Sequence, residues 1–246
     1  MNKASHIKTL LANLAKQSPP PKVIFFKTGP GAYSEHDEFM GLSVPALRKI
    51  ARHFPDLPLM ELQILLESPF NEERMQALII LVAQYQRSDT TKKQALYNFY
   101  VRHITRVNNW NLVDASAHHI MGHYLYDKPR YVLLAFAQSN NLWERRIAIV
   151  ATWHFIRQGH YDWTLKIAEI LLDDAHDLIH KSVGWMLREV GKKDGATLKA
   201  FLDQKAPHMP RTMLRYAIER LPIDERKSYL EQSRAIRTFD LHKIDG

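Results

Sequence analysis

The 246-residue chain contains no cysteine. Disulfides, Cys-ligated zinc and iron–sulfur clusters are therefore excluded. No apolar run approaches the roughly 18 residues of a membrane span, and the N-terminus lacks an apolar stretch suited to secretion, so a soluble cytoplasmic protein without membrane contact is expected. A Gly-rich phosphate loop of the Walker or dinucleotide type is also missing, which argues against a nucleotide cofactor. His119 and His123 stand at metal-ligand spacing on one helix, yet no Glu follows the first as a zincin requires. No metal and no cofactor are expected. Acidic residues are in deficit, 26 against 34 Lys plus Arg, giving a formal charge of +8. That excess points to an anionic partner: nucleic acid, a membrane surface or an acidic protein. Hydrophobic residues at 46% and charged residues at 24% are ordinary for a globular chain and argue against long disorder.

What is present is helical periodicity. Residues 2–17 place Ile7, Leu10, Leu11 and Leu14 on one face before Pro19-Pro20-Pro21 ends the pattern. Val23-Ile24-Phe25-Phe26 and Phe39-Met40-Gly41-Leu42 then flank Gly29-Pro30-Gly31. Two short apolar runs around such a turn read as an irregular β-hairpin, here an insertion over 22–43, or as an ordered loop. From Val44-Pro45 onward apolar residues recur at spacings of three and four through twelve segments, ending at 222–234, with Pro and Gly between them. Asn71, Asn109, Asn141, Asp177 and Met209 open the second helix of successive pairs, 38, 32, 36 and 32 residues apart. These spacings predict an all-α, HEAT-like or armadillo-type helix-pair solenoid, forming a single domain over 1–246 with a C-terminal tail at 235–246.

Such stacks present one side of each second helix on a concave face. Near the starts of these helices stand Arg74, Asp114, Arg146, Lys181 and Arg211, a basic ladder with one acidic member. Residues 181–220 add nine basic residues against four acidic ones, among them Arg188 and Arg215. A ladder in register with the repeat could track a phosphate backbone, helped by backbone N–H groups at helix N-termini. Trp110 and Asp114, four residues apart, share a helix face. A carboxylate among cations stays ionised and can stabilise a developing positive charge, while Trp110 and Trp185 offer electron-rich faces to cationic groups.

Three segments carry a resemblance: Asn109-Trp110-Asn111-Leu112-Val113-Asp114, Asn141-Leu142-Trp143-Glu144-Arg145-Arg146 and Lys181-Ser182-Val183-Gly184-Trp185-Met186-Leu187-Arg188-Glu189. Over roughly residues 20–235 the chain resembles the AlkD-like HEAT-repeat DNA glycosylases, the DNA alkylation repair proteins. The sequence offers no dimer interface, and a monomer is expected; the resemblance implies binding of double-stranded DNA in the concave groove. It implies hydrolysis of the N-glycosidic bond of cationic alkylpurines, such as 3-methyladenine and 7-methylguanine, without drawing the base into a pocket. By matching positions, Asp114 would stabilise the oxocarbenium-like sugar and orient water. Trp110 and Trp185 would pack on the lesion's sugar-phosphate, and Arg146 would hold the backbone. Arg74, Arg145, Lys181, Arg188, Arg211 and Arg215 are the further candidate DNA contacts. The stretch from Phe25 to Leu42 resembles instead a β-hairpin of the AlkF and AlkG branch, associated with branched DNA and weak or absent excision. In that reading Lys22, Lys27 and Tyr33 brace a DNA fork. Asn111 stands where many relatives carry an acidic residue.

Overall fold

Helices start where short-range capping predicts. Asp89, Asn109, Asn141 and Asp194 each accept a backbone N–H at the first turn of the helix that follows them. The computed structural model describes residues 3–17 and 26–232, which form two compact units, Met1–Tyr124 and Leu125–Gly246.

Unit 1 contains α1 (Lys3–Lys16), α2 (Val44–Ala51), α3 (Leu59–Leu66), α4 (Asn71–Arg87), α5 (Thr90–Arg102), a 3-10 turn (Ile104–Arg106) and α6 (Trp110–Ala117). The last runs on through one π-helical turn, His118–Gly122. Helix α4 is central: it packs on α2, α3, α5 and α6. Unit 2 contains α7 (Tyr131–Ala137), α8 (Leu142–Ala151), α9 (Trp153–Arg157), α10 (Asp162–Ile170), α11 (Asp177–Lys193), α12 (Gly195–Lys205) and α13 (Arg211–Ala217), and residues 223–232 are also helical. Here α8, α11 and α13 pack in succession, with α7, α10 and α12 against them. Within each unit, second helices therefore lie against second helices, as a helix-pair repeat requires. Helices α8 and α9 are separated at Thr152, whose hydroxyl donates to the Ile149 carbonyl at 2.7 Å.

Contact between α11 and α13 depends on Gly184. A Cβ built there would lie 2.5 Å from Tyr216 Cβ and closer still to the Met213 carbonyl oxygen. The helices approach to backbone distance, and no larger residue fits without moving one of them.

The β-hairpin expectation is corrected. Lys22 and the rest of 22–25 lie outside the described residues, and residues 26–43 hold turns and one isolated bridge, Glu38 to Phe70, but no strand. A hairpin needs its N–H groups paired across two strands. In the described part of this segment those of Ala32, Ser34, Glu35 and Asp37 stay in local turns, and those of Glu38 and Met40 to Leu42 go to α4 and the turn before it. The Glu72 carboxylate accepts from Met40 N–H at 3.0 Å, Gly41 N–H at 2.8 Å and Leu42 N–H at 3.3 Å. Glu38 exchanges backbone bonds with Pro69 and Asn71 at the start of the same helix. Gly41, at φ +77°, supplies the left-handed residue that lets successive N–H groups converge on one carboxylate.

Candidate functional site

The starts of the second helices carry most of the polar chemistry. At α4, four consecutive polar residues, Asn71, Glu72, Glu73 and Arg74, are all buried. Each has a partner that can be named. Glu73 pairs with Lys8 of α1 at 2.9 Å. Arg74 Nη1 donates to the Ser68 and Pro69 carbonyls at 2.8 and 2.9 Å, while Nη2 meets Asp37 Oδ1 at 2.5 Å. Burial pulls the Arg74 pKa below its ordinary value, and Asp37 opposes that shift. Asp37 in turn accepts from the Asn109 side-chain amide at 2.7 Å and from Asn71 at 3.3 Å. Asn109 also donates to Ser34 at 2.7 Å and accepts from Trp110 N–H at 2.7 Å. Asn71 and Asn111 exchange two amide bonds, 2.7 and 3.3 Å. Asn111, the departure noted in the sequence, thus ties α6 to α4 with a reciprocal pair that a carboxylate at 111 could not make.

This network fixes the N-terminus of α6, and with it Trp110 and Asp114. Both are half-buried and share the side of the helix opposite buried Leu112, Val113, Ser116 and Ala117. Phe26 stacks on Trp110 with ring centres 5.3 Å apart, and Phe39 stacks on Phe26 at 4.4 Å. One indole face is therefore already in contact with the 26–43 segment. The π turn after α6 lets His119 meet Gln86 at 3.2 Å and His123 meet the Tyr85 hydroxyl at 3.0 Å. The two histidines thus hold side chains of α4. Among the described residues no group of three His, Asp or Glu side chains is arranged for a metal.

In unit 2, Trp185 lies half-buried on α11, its indole N–H donating to Glu189 at 3.2 Å. Trp153 meets it edge-to-face at 5.0 Å, and Arg157 caps the far face of Trp153 at 5.5 Å. Trp153, which spacing alone did not single out, is the neighbour that fixes the Trp185 ring. Arg146 is buried and donates to the Leu178 carbonyl at 2.6 Å, in the first turn of α11.

The remaining ladder members are placed as follows. Arg145 pairs with Asp174 at 2.6 Å and donates to the Ser139 and Asn140 carbonyls at 2.9 and 3.0 Å. Lys181 pairs with Asp177 at 2.6 Å within α11. Arg188 is bound to Glu219, and Arg211 donates to the Leu230 carbonyl at 2.8 Å. Arg215 and Lys27 are exposed, and Tyr33 is half-buried. A second pattern accompanies the helix starts. Ser68 accepts from Phe70 N–H and Arg74 donates back to Ser68; Ser139 accepts from Asn141 N–H and Arg145 donates back to Ser139. Asp174 with His176 and His180 repeats the scheme at α11. Three second helices are thus entered through the same turn, closed by a basic residue type six positions on, Arg74, Arg145 or His180.

A profile of the DNA alkylation repair enzyme family matches residues 8–221, which is most of the chain. The chain belongs to this family. Among solved structures it is similar to a predicted DNA alkylation repair enzyme from Enterococcus faecalis, at 16% identity and a TM-score of 0.63, over 78% of this chain and 92% of that one. It is also similar to smu.31 from Streptococcus mutans UA159, at 17% identity and a TM-score of 0.52, over 80% and 89% of the two chains. At these identities the likeness establishes the all-helical fold that the family members share. Among curated proteins none matches.

Proposed function

We propose that this protein is a DNA glycosylase that hydrolyses the N-glycosidic bond of cationic alkylpurines in double-stranded DNA. The observation that carries the reading is the Trp110/Asp114 pair on the accessible side of α6, in a chain of the alkylation repair family. An alkylated purine with a formal positive charge is already a good leaving group. The barrier lies in the cationic character the sugar acquires as the bond breaks. A fixed carboxylate is the group that lowers it, by facing that charge and by orienting the attacking water. Asp114 has this role, and Trp110 packs beside the sugar-phosphate through the indole surface that Phe26 leaves open. Trp185 is a half-buried indole of the same kind on unit 2. Arg146, being buried, acts through the first turn of α11, the helix that carries Trp185. Lys27, Lys181 and Arg215, whose charged ends reach solvent, contribute phosphate contacts.

The branched-DNA reading rested on the hairpin segment together with the basic ladder. Since the described part of that segment directs its N–H groups to Glu72 and α4, that reading is not carried forward. The test is release of 7-methylguanine from methylated duplex, wild type beside Asp114→Asn. Loss of one electrostatic contact to a transition-state charge lowers the rate about 100-fold or more. Equal release by both proteins would remove Asp114 from the chemistry.

A further inference from the structure

Unit 1 contains a cleft of about 520 Å³ between α2, α4 and the α6 helix with its π turn. Its apolar floor runs from buried Ile80 and Val82 out to Ile79, Ala83 and Ala115, and Ala115 directly follows Asp114. Arg48 and Arg52 stand on its rim, one helical turn apart on α2 and both exposed. Neither guanidinium has a hydrogen-bond or ion-pair partner among the described residues, in contrast to Arg74 and Arg145. The third rim cation, Arg87, is taken up by Asp56 at 2.6 Å. Gln86 and His119, bonded to each other, form a polar corner. Among the described residues no carboxylate lines the cleft.

We propose that this cleft seats one unstacked nucleotide of a DNA strand, its base on the apolar floor and its phosphate between Arg48 and Arg52. The volume lies in the range of small-ligand sites. An apolar floor suits the face of a base, and two unpaired guanidiniums suit a phosphate, which they can grip bidentately. A phosphate alone would leave the floor unused, and an apolar ligand alone would leave the charges unanswered. A nucleotide satisfies both. The AlkD-like resemblance includes no such pocket, and Asp114 is not among the residues that line this one. It rests on the DNA-handling reading but not on base excision.

The experiment compares binding of a duplex with a single unpaired 2-aminopurine to binding of the same duplex fully paired, at low salt. Three proteins are used: wild type, Ala83→Phe, which fills the floor at an exposed position, and the Arg48→Gln/Arg52→Gln double variant. Wild type binds the unpaired site about tenfold more tightly, the worth of one stacked base. In Ala83→Phe that preference disappears while paired-duplex affinity stays. The double variant binds both duplexes more weakly, and its slope of log affinity against log salt is shallower by about 1 to 2. Free deoxyadenosine monophosphate binds the wild type more weakly than the unpaired duplex does. No preference in the wild type, a preference that survives Ala83→Phe, an unchanged salt slope, or tighter binding of the free nucleotide would each overturn the proposal. Base release assayed on the same proteins separates the two readings. If the wild type releases no base yet Ala83→Phe loses the preference, the glycosylase reading fails and this one stands. Asp114-dependent release with no preference gives the reverse.

Discussion

The entries to α4 and α8 are built alike and serve different ends. Both use a Ser turn, an Arg six residues on, two loop carbonyls under one guanidinium nitrogen, and an Asp from a neighbouring segment. At α4 the pair is closed off, with the Arg74 and Asp37 side chains only 2% and 5% exposed. At α8 the Arg145 side chain is 19% exposed. Asp37 belongs to the 26–43 segment and also grips Asn109, so the buried version fixes a loop and the start of α6 together. The open version joins α8 to the loop at Asp174 and leaves part of its cation to solvent. One local motif thus becomes a hub or a latch according to what covers it. In both, the charge sits at the positive end of a helix dipole, which disfavours a cation, and the carbonyls and Asp offset this.

The comparison can be broken most sharply at the hub. Arg74→Ala leaves Asp37 buried without its cation and should cost about 3–5 kcal/mol in urea-unfolding stability. Because Asp37 also holds Asn109, the same variant should change the near-UV signal of the Phe26–Trp110 stack in the protein that remains folded. A loss no greater than at the latch would show that burial does not set the value of the motif. The matching change at α8, Arg145→Ala, should cost about 1–2 kcal/mol, since water can replace part of what is lost.

The smallest effect is expected at α11, where Asp174 makes the turn and His176 caps the helix. His176 Nδ1 accepts from Leu178 N–H at 3.1 Å, a bond that only the unprotonated nitrogen can make. Burial holds the His176 pKa below its usual value, while Asp174 opposes the shift. A histidine with a depressed folded-state pKa binds fewer protons folded than unfolded. Stability is therefore complete above the unfolded pKa of roughly 6.5 and falls as pH drops below it. Thermal denaturation of wild type and His176→Asn, which retains a capping oxygen, should show a shallower decline between pH 7 and pH 5 in the variant. Parallel curves would assign the acid sensitivity elsewhere.

Much of this was legible in the chain itself. Asn71, Asn109, Asn141 and Asp177 mark the starts of their helices because capping and periodicity are short-range properties. Trp110 and Asp114 share a face for the same reason, and the three motif segments carried the family. The absence of a strand in the described part of the expected hairpin was not legible, because the apolar run after Gly-Pro-Gly looks alike whether it pairs with the run before it or with a third element. Glu72, more than twenty-five residues on, decided between them. Nor could Arg74 be told from a solvent-facing cation. Four polar residues in a row read as a hydrated helix start, and only the segments folded over them make that start interior.

The sequence by itself determined where the helices run, which residues begin them and which carboxylate stands beside which tryptophan, since each follows from contacts within a turn or two of chain. The tertiary structure alone decided which cations are bound and which are open. Arg74 and Arg145 meet aspartates from distant segments, whereas Arg48 and Arg52 look onto a cleft that no acid among the described residues lines. The charge of an arginine is written in the chain; whether a partner has already neutralised it is settled by long-range packing.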